Sequence, residues 1–125
     1  MRKRPNAFTL IELIVVLAII ATLLTLALPR YFSSIDRAKD AVLKENLYQV
    51  RDAIGKYYAD KGKYPESLET LTADKYLRKL PVDPITESTT TWLIVPPENI
   101  QKGKVYDIKS GAPGKALDGS AFNEW

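Results

Sequence analysis

The segment FTLIELIVVLAIIATLLTLAL, residues Phe8–Leu28, is apolar almost throughout and carries one charge, Glu12. At ~1.5 Å per residue, a helix of this length spans about 30 Å, the thickness of the hydrocarbon core of a bilayer. A carboxylate inside that core costs about 2.5–3.5 kcal/mol on insertion scales, so its presence indicates a cationic partner. We therefore interpret the segment as a transmembrane helix that also serves in assembly.

A short basic leader, Met1–Ala7, precedes this helix, with Arg2, Lys3 and Arg4 as its charges and no acidic residue. By the positive-inside rule, these cations hold the N-terminus in the cytoplasm and place the chain after Leu28 outside. The whole chain has a net charge of +3, with 18 basic and 15 acidic side chains. Removal of the three leader cations leaves equal numbers of both signs, so we expect no nucleic-acid partner.

The junction between leader and helix resembles a prepilin processing site. AFTLIE, residues 7–12, is similar to the signal of type IV prepilins and type II secretion pseudopilins, which a prepilin peptidase cleaves and N-methylates. The resemblance implies cleavage between Ala7 and Phe8, methylation of Phe8, and Glu12 as the fifth mature residue. Members of the family usually have glycine where this chain has Ala7. The alternative is an ordinary secretory signal, cleaved near Thr25–Ala27 at a small-x-small site.

A helical pattern continues beyond the membrane segment, and we predict a helix from about Pro29 to Asp60 that ends at Lys61-Gly62. Glycine suits the position just after a helix, where a left-handed backbone is common. Apolar residues recur there at three- and four-residue steps, typical of a helix with one buried face. They are Ile35, Ala38, Val42, Leu43, Leu47, Val50, Ile54 and Tyr57/Tyr58, with Arg37, Asp40, Lys44, Arg51 and Asp52 mostly on the other side.

Pro29 stands where the two halves of this helix meet. Proline removes one helical hydrogen bond and clashes with the preceding turn, so we expect a bend at the membrane surface. The resemblance implies a further role in assembly, because the helix before this proline is stretched or melted in filaments of the family. The corresponding segment here is Ala21–Pro29, although Ala21 replaces a common glycine. Both interpretations remain open.

The second half of the chain contains short elements. Glu66–Leu71 is predicted as a brief helical turn, and Thr89–Val95, rich in β-branched and aromatic residues, as a strand that Pro96-Pro97 ends. Lys104–Lys109 alternates in polarity and is its expected antiparallel partner. We expect Ser110–Trp125 to be an ordered loop.

The predicted fold class is therefore α+β, with a long N-terminal helix packed on a small antiparallel sheet. The predicted organisation is a cleaved leader at 1–7, a transmembrane and polymerisation helix at 8–29, and one globular domain at 30–125. A domain of this size has a core that is marginal by itself. Cysteine is absent, so no disulfide holds the C-terminal region.

Motifs in the second half narrow the resemblance to the major, G-type pseudopilin of type II secretion. They are Gly62-Lys-Tyr-Pro65, Leu80-Pro81-x-Asp83-Pro84, Tyr106-Asp-Ile-Lys-Ser-Gly111 and the final Trp125. The chain departs from the family at Ile85-Thr86, where Trp-Gly is common. The resemblance implies a structural subunit of the pseudopilus that polymerises from the inner membrane and helps drive folded proteins across the outer membrane.

The resemblance also implies partners. These are further copies in a helical homopolymer, minor pseudopilins, the prepilin peptidase, the inner-membrane assembly platform and membrane lipid, with the C-terminal domain in the periplasm. One alternative is a type IV pilin that serves in adhesion, twitching or DNA uptake. Another is an anchored binding domain that never polymerises, which would not need Glu12. Glu12 has an alternative role of its own, as a recognition residue for the peptidase.

The C-terminal loop raises the question of a metal. G-type pseudopilins bind calcium there, and hard oxygen ligands are what calcium prefers. Asp118 is the candidate ligand, although an aspartate cannot be matched to each family ligand and Ala112-Pro113-Gly114 stands where an acidic residue is expected. The alternative is a glycine-rich loop held by burial of Phe122 and Trp125. The other oxygen-bearing residues are Asp107, Ser110, Ser120 and Glu124.

Catalysis has little support in the sequence. Histidine and cysteine are both absent, which excludes a Ser/His/Asp triad, a thiol nucleophile and the common zinc sites. No phosphate-binding glycine loop is present. We therefore expect a protein that is not an enzyme and has no catalytic residues. Apart from calcium in the C-terminal loop, with Asp118 as its candidate ligand, we expect no cofactor.

Overall fold

A computed structural model describes residues 9–125, so the cleavage site between Ala7 and Phe8 lies outside the described residues. The elements in order are α1 (Leu10–Lys61), α2 (Leu68–Ala73), β1 (Trp92–Val95) and β2 (Asp107–Ser110). Two short 3₁₀ turns, Ile100–Lys102 and Phe122–Glu124, complete them. The chain forms two compact units, one through Ile35 and the other Asp36–Trp125.

The first unit is the apolar half of α1. Within the described residues, α1 is the one helix long and apolar enough to cross a membrane, by length and composition. Pro29 lies inside it, and the residues on both sides are helical. The predicted bend at Pro29 and the stretching of Ala21–Pro29 in a filament stay predictions.

The second unit has its own hydrophobic core, built on one face of α1. Leu43, Leu47, Val50 and Ile54 are buried as predicted, and Ala53 joins them. They pack with residues from α2, both strands, the last 3₁₀ turn and the segment before β2, which are Leu68, Leu71, Trp92, Ile108, Phe122 and Val105.

The prediction that Ala38 and Val42 share this buried face was wrong, because both are exposed. The buried positions 43, 47, 50, 54 and 57 extrapolate back to Asp40. Val42 is displaced from Leu43 by one position, about 100° around a helix, and Ala38 is displaced from Asp40 by two positions, about 200°. Ala38 and Val42 therefore lie outside the buried face of α1. Toward the N-terminus, that face continues with the polar residue Asp40.

The sheet has two antiparallel strands, in which Trp92 pairs with Ser110 and Val95 with Asp107. The predicted pairing of the two segments is confirmed. Each strand begins three residues later than predicted, and β2 includes Ser110, which was predicted to begin the C-terminal loop. Gly111 follows β2 so closely against Thr91 that a Cβ atom would collide with the Thr91 carbonyl oxygen. This contact explains why glycine stands there, at the end of the Tyr106–Gly111 motif.

The helix ends agree with the local sequence. Gly62 adopts a φ of 72° just after α1 and donates its amide to the Tyr58 carbonyl, as expected of a glycine that ends a helix. α2 begins two residues later than predicted, because Ser67 is its N-cap and accepts a hydrogen bond from the Thr70 amide. The α+β fold class is confirmed, with a long N-terminal helix whose second half packs in one core with a small antiparallel sheet.

Candidate assembly site

The candidate site begins at the first turn of α1, where Thr9 and Glu12 bond reciprocally. The Glu12 amide donates to Thr9 Oγ1 at 3.1 Å, and the Thr9 amide donates to Glu12 Oε2 at 3.3 Å. This is a capping box, which satisfies amides that have no partner within the helix. It also holds the carboxylate at the positive end of the helix dipole. Glu12 therefore has a role in the isolated chain that sequence reasoning missed, although the Thr-x-x-Glu spacing signals it.

Around this carboxylate, α1 presents an apolar surface that nothing in the described chain covers. The 18-residue window of highest hydropathy has none of its residues buried. Leu10 and Ile11 are each 74% exposed. The hydroxyls of Thr22 and Thr25 donate to the carbonyls of Ala18 and Ala21 at 2.8 Å, so both are satisfied. Such a surface suits lipid tails or the helices of other copies.

The structure describes three of the five predicted site residues. Glu12 and Pro29 lie in α1 of the first unit, several turns apart, so they do not form one site within a chain. Asp118 lies in the second unit. Ala7 and Phe8 are outside the described residues, and their processing stays a prediction.

Asp118 lies in a turn of the C-terminal loop and is exposed. Its Oδ1 accepts hydrogen bonds from the Ser120 hydroxyl at 2.5 Å and from the Ser120 amide at 2.9 Å. These bonds stabilise the charged form and hold the pKa of the Asp118 carboxyl below its usual value. The Ser120 hydroxyl in turn accepts from Trp125 Nε1 at 2.7 Å. Asp118 thus organises the loop from within.

The residues around Asp118 do not fit a calcium site. Calcium takes about six to eight oxygen ligands, usually with several carboxylates. In residues 9–125, no three acidic side chains come together as a potential metal cluster. The other oxygen-bearing candidates are dispersed, since Asp107 bonds Arg51 and the Ser110 hydroxyl bonds Asp83. The nearby carbonyls of Ala116 and Ser120 accept amides within the turn.

The alternative prediction for this loop, burial of aromatic side chains, matches the geometry. Phe122 is buried and Trp125 is half-buried, with ring centroids 5.3 Å apart in an edge-on arrangement. Lys44 Nζ lies 4.7 Å from the centroid of the Trp125 ring. Packing of the Phe122 and Trp125 rings therefore helps to hold the loop in place.

Sequence reasoning missed two polar side chains that organise the second unit. Arg51, predicted on the exposed face, bonds Asp107 and two main-chain carbonyls. Asp83, quoted as part of a family motif, is completely buried and accepts from Ser110. No local signal identifies either role, because the partners lie far along the chain.

Comparisons with known proteins agree with these features. Residues 2–28 match the family described as the prokaryotic N-terminal methylation motif. The chain is 34% identical to the type II secretion system core protein G of Pseudomonas aeruginosa, over 66% of this chain and 70% of that protein. The core protein G of Pectobacterium carotovorum is 27% identical over 96% of this chain and 86% of its own length. No solved structure matches the chain.

A pilus protein is also similar, over a shorter region. The fimbrial protein EcpC of Eikenella corrodens is 35% identical over 52% of this chain and 42% of that protein. The alternative of a type IV pilin is therefore less well supported than the pseudopilin. The chain belongs to the family of the type II secretion system core protein G, a family of structural pseudopilins.

Proposed function

We propose that this chain is cleaved between Ala7 and Phe8, waits in the inner membrane, and polymerises into a helical pseudopilus through residues 8–29. The observation that carries the proposal is the fully exposed apolar surface of α1 with one carboxylate, Glu12, at its start. An apolar surface of this extent needs lipid before assembly and other helices after it. One charged residue at its start gives those helices a fixed register.

Glu12 would pair with the new amino terminus of a neighbouring subunit. After cleavage, the amine of Phe8 lies four residues before Glu12, which is roughly 6 Å along a helix. A neighbour shifted by that distance brings its amine to this carboxylate. Inside the apolar filament the pair is poorly screened, and loss of one partner costs about 3–5 kcal/mol because a buried charge remains.

A membrane anchor at the start of α1 would set the rest of the arrangement. The basic leader would stay in the cytoplasm, where the prepilin peptidase cuts and methylates, and the unit Asp36–Trp125 would lie in the periplasm. Minor pseudopilins and the inner-membrane assembly platform would be the partners of assembly. A separate ATPase would supply the energy, while this chain polymerises and helps drive folded proteins across the outer membrane.

The test follows processing and filament yield in the same cells for Glu12→Val and Glu12→Gln. Glutamine keeps the capping geometry, since glutamate and glutamine both serve at this position, but it carries no charge. We expect both variants to insert, because each makes the segment more apolar, and both to be cleaved. Both should give few filaments.

Ala7→Leu provides the control for an uncleaved precursor, because a pocket that accepts a small residue cannot accept leucine. Mass spectrometry should then find no mature chain beginning at N-methyl-Phe8. Normal filaments from processed Glu12→Gln would show that capping is sufficient and that the charge pair is wrong. Loss of cleavage in both Glu12 variants would favour the recognition role instead.

A further inference from the structure

We propose that side chains of α1, with Arg51 as the clamp, close the C-terminal loop of this chain, and that the loop keeps its fold without calcium. The loop is residues 111–125, which contain Asp118. The oxygen atoms of this loop do not provide the set of ligands that a calcium ion takes. This closure of the loop does not depend on polymerisation.

Asp40, Lys44 and Arg51 of α1 contact the loop or β2. With Leu47 they follow one another at steps of four, three and four, which places all four on one face of a helix. Asp40 Oδ2 accepts a hydrogen bond from the Leu117 amide at 3.1 Å. Leu47 is buried in the core.

Arg51 provides the strongest of these contacts because it bonds three acceptors. Its Nε donates to Asp107 Oδ1 at 2.8 Å, and its Nη2 donates to the carbonyl of Ile108 at 3.1 Å. The same Nη2 donates to the main-chain oxygen of Trp125 at 2.7 Å. One guanidinium thus joins α1, β2 and the loop. A lysine has the charge but lacks this planar fork.

A second layer of contacts surrounds this clamp. Lys44, two turns before Arg51, lies over the Trp125 ring. The indole of Trp125 donates to Ser120, and Ser120 donates to Asp118. Asp40, Asp107 and Asp118 therefore each accept a hydrogen bond from the protein itself.

Exposure decides how much a single pair contributes. The side chains of Arg51 and Asp107 are 38% and 29% exposed, so their ion pair alone would contribute little. The bonds to Ile108 and Trp125 add charge-assisted contacts to main-chain carbonyls, which belong to the stronger class of hydrogen bond. We infer that the network, and not the isolated pair, holds the loop.

The experiment is hydrogen–deuterium exchange on the full chain in detergent micelles, comparing wild type with Arg51→Met, Arg51→Lys and Lys56→Met. Lys56 is the matched control because it forms an exposed ion pair with Asp52 on the same helix, at 3.0 Å. Arg51→Met should make amides of 111–125 exchange roughly tenfold faster, by raising local opening. Arg51→Lys should approach that rate, and Lys56→Met should match wild type.

Calcium is tested on the same samples with added CaCl₂ and with a chelator. Neither addition should change exchange in the loop or the melting temperature. A ligand raises stability only when it binds the folded state, and we expect this loop to bind no calcium. A melting temperature that rises with CaCl₂ would overturn the proposal, as would wild-type exchange in Arg51→Met. Protection of core residues 43–57 shows that each variant is folded. If Arg51→Met does not fold, Asp107→Asn replaces it, with the same expected loosening of the loop.

Discussion

At the scale of single residues, Asp83 is the least expected feature, because it is a carboxylate with no exposed surface. Its Oδ2 accepts from the Ser110 hydroxyl at 2.5 Å, and its Oδ1 accepts from the Ile85 amide at 2.8 Å. Its main-chain groups bond Glu87 and Ser88. Asp83 therefore shapes the loop that follows the Leu-Pro motif and ties it to β2.

We predict that Asp83→Ala lowers the free energy of unfolding by about 2–3 kcal/mol, because the buried hydroxyl of Ser110 and the partly buried amide of Ile85 lose their acceptor. The measurement is urea unfolding of the full chain in mild detergent, followed by tryptophan fluorescence. Glu98→Ala, which removes an exposed carboxylate from another loop, is the control and should leave the midpoint unchanged. Equal midpoints for the two variants would contradict the role given to Asp83.

At the scale of elements, the segment after α2 is fastened to the end of α1. The Tyr76 hydroxyl donates to Asp60 Oδ2 at 2.7 Å, and the Tyr76 ring packs edge-on against Tyr57 at 5.3 Å. The amides of Tyr76 and Leu77 both donate to the Leu71 carbonyl. The hydrogen bond to the Asp60 carboxylate is the main cause that raises the pKa of Tyr76 to about 12.

This raised pKa predicts a loss of stability in alkali. The bond needs the protonated phenol, so its contribution is complete below the ordinary pKa of 10.0 and is lost as pH rises toward about 12. Wild type should therefore unfold at a higher urea concentration than Tyr76→Phe at pH 9, and the difference should shrink up to pH 12. Tyr48→Phe, at an exposed tyrosine, is the control. A difference that stays constant with pH would exclude the bond to Asp60 as its cause.

At the scale of the whole molecule, the second unit contains the described buried core, while the first unit exposes its apolar side chains. A fragment that begins at Arg30 lacks the apolar run. We predict that it is soluble and monomeric, because the surface proposed to polymerise has been removed. Light scattering across a concentration series measures this directly. Filaments formed by the fragment would contradict the separation between an assembling helix and a folded domain.

Several features could be predicted from the sequence because each depends on near neighbours. The apolar run, the helix end at Gly62, and the antiparallel pairing of β1 with β2 follow from residue type and spacing over a few positions. Thr9 and Glu12 belong to the same class, since their bonds span three residues, and the capping pattern could have been recognised. The buried row of α1 was predicted correctly only from Leu43 onward.

An apolar helix with one early carboxylate, followed by a small α+β domain, follows from residue order alone, because composition and periodicity act over one or two turns. The polar contacts that close the second unit depend instead on how the elements pack together. Ser110 meets Asp83 across 27 residues, and Arg51 meets Asp107 and Trp125 across 56 and 74. These pairs depend on strand register and on the path of the C-terminal loop over α1. Both arise when the core packs, so no local pattern encodes them.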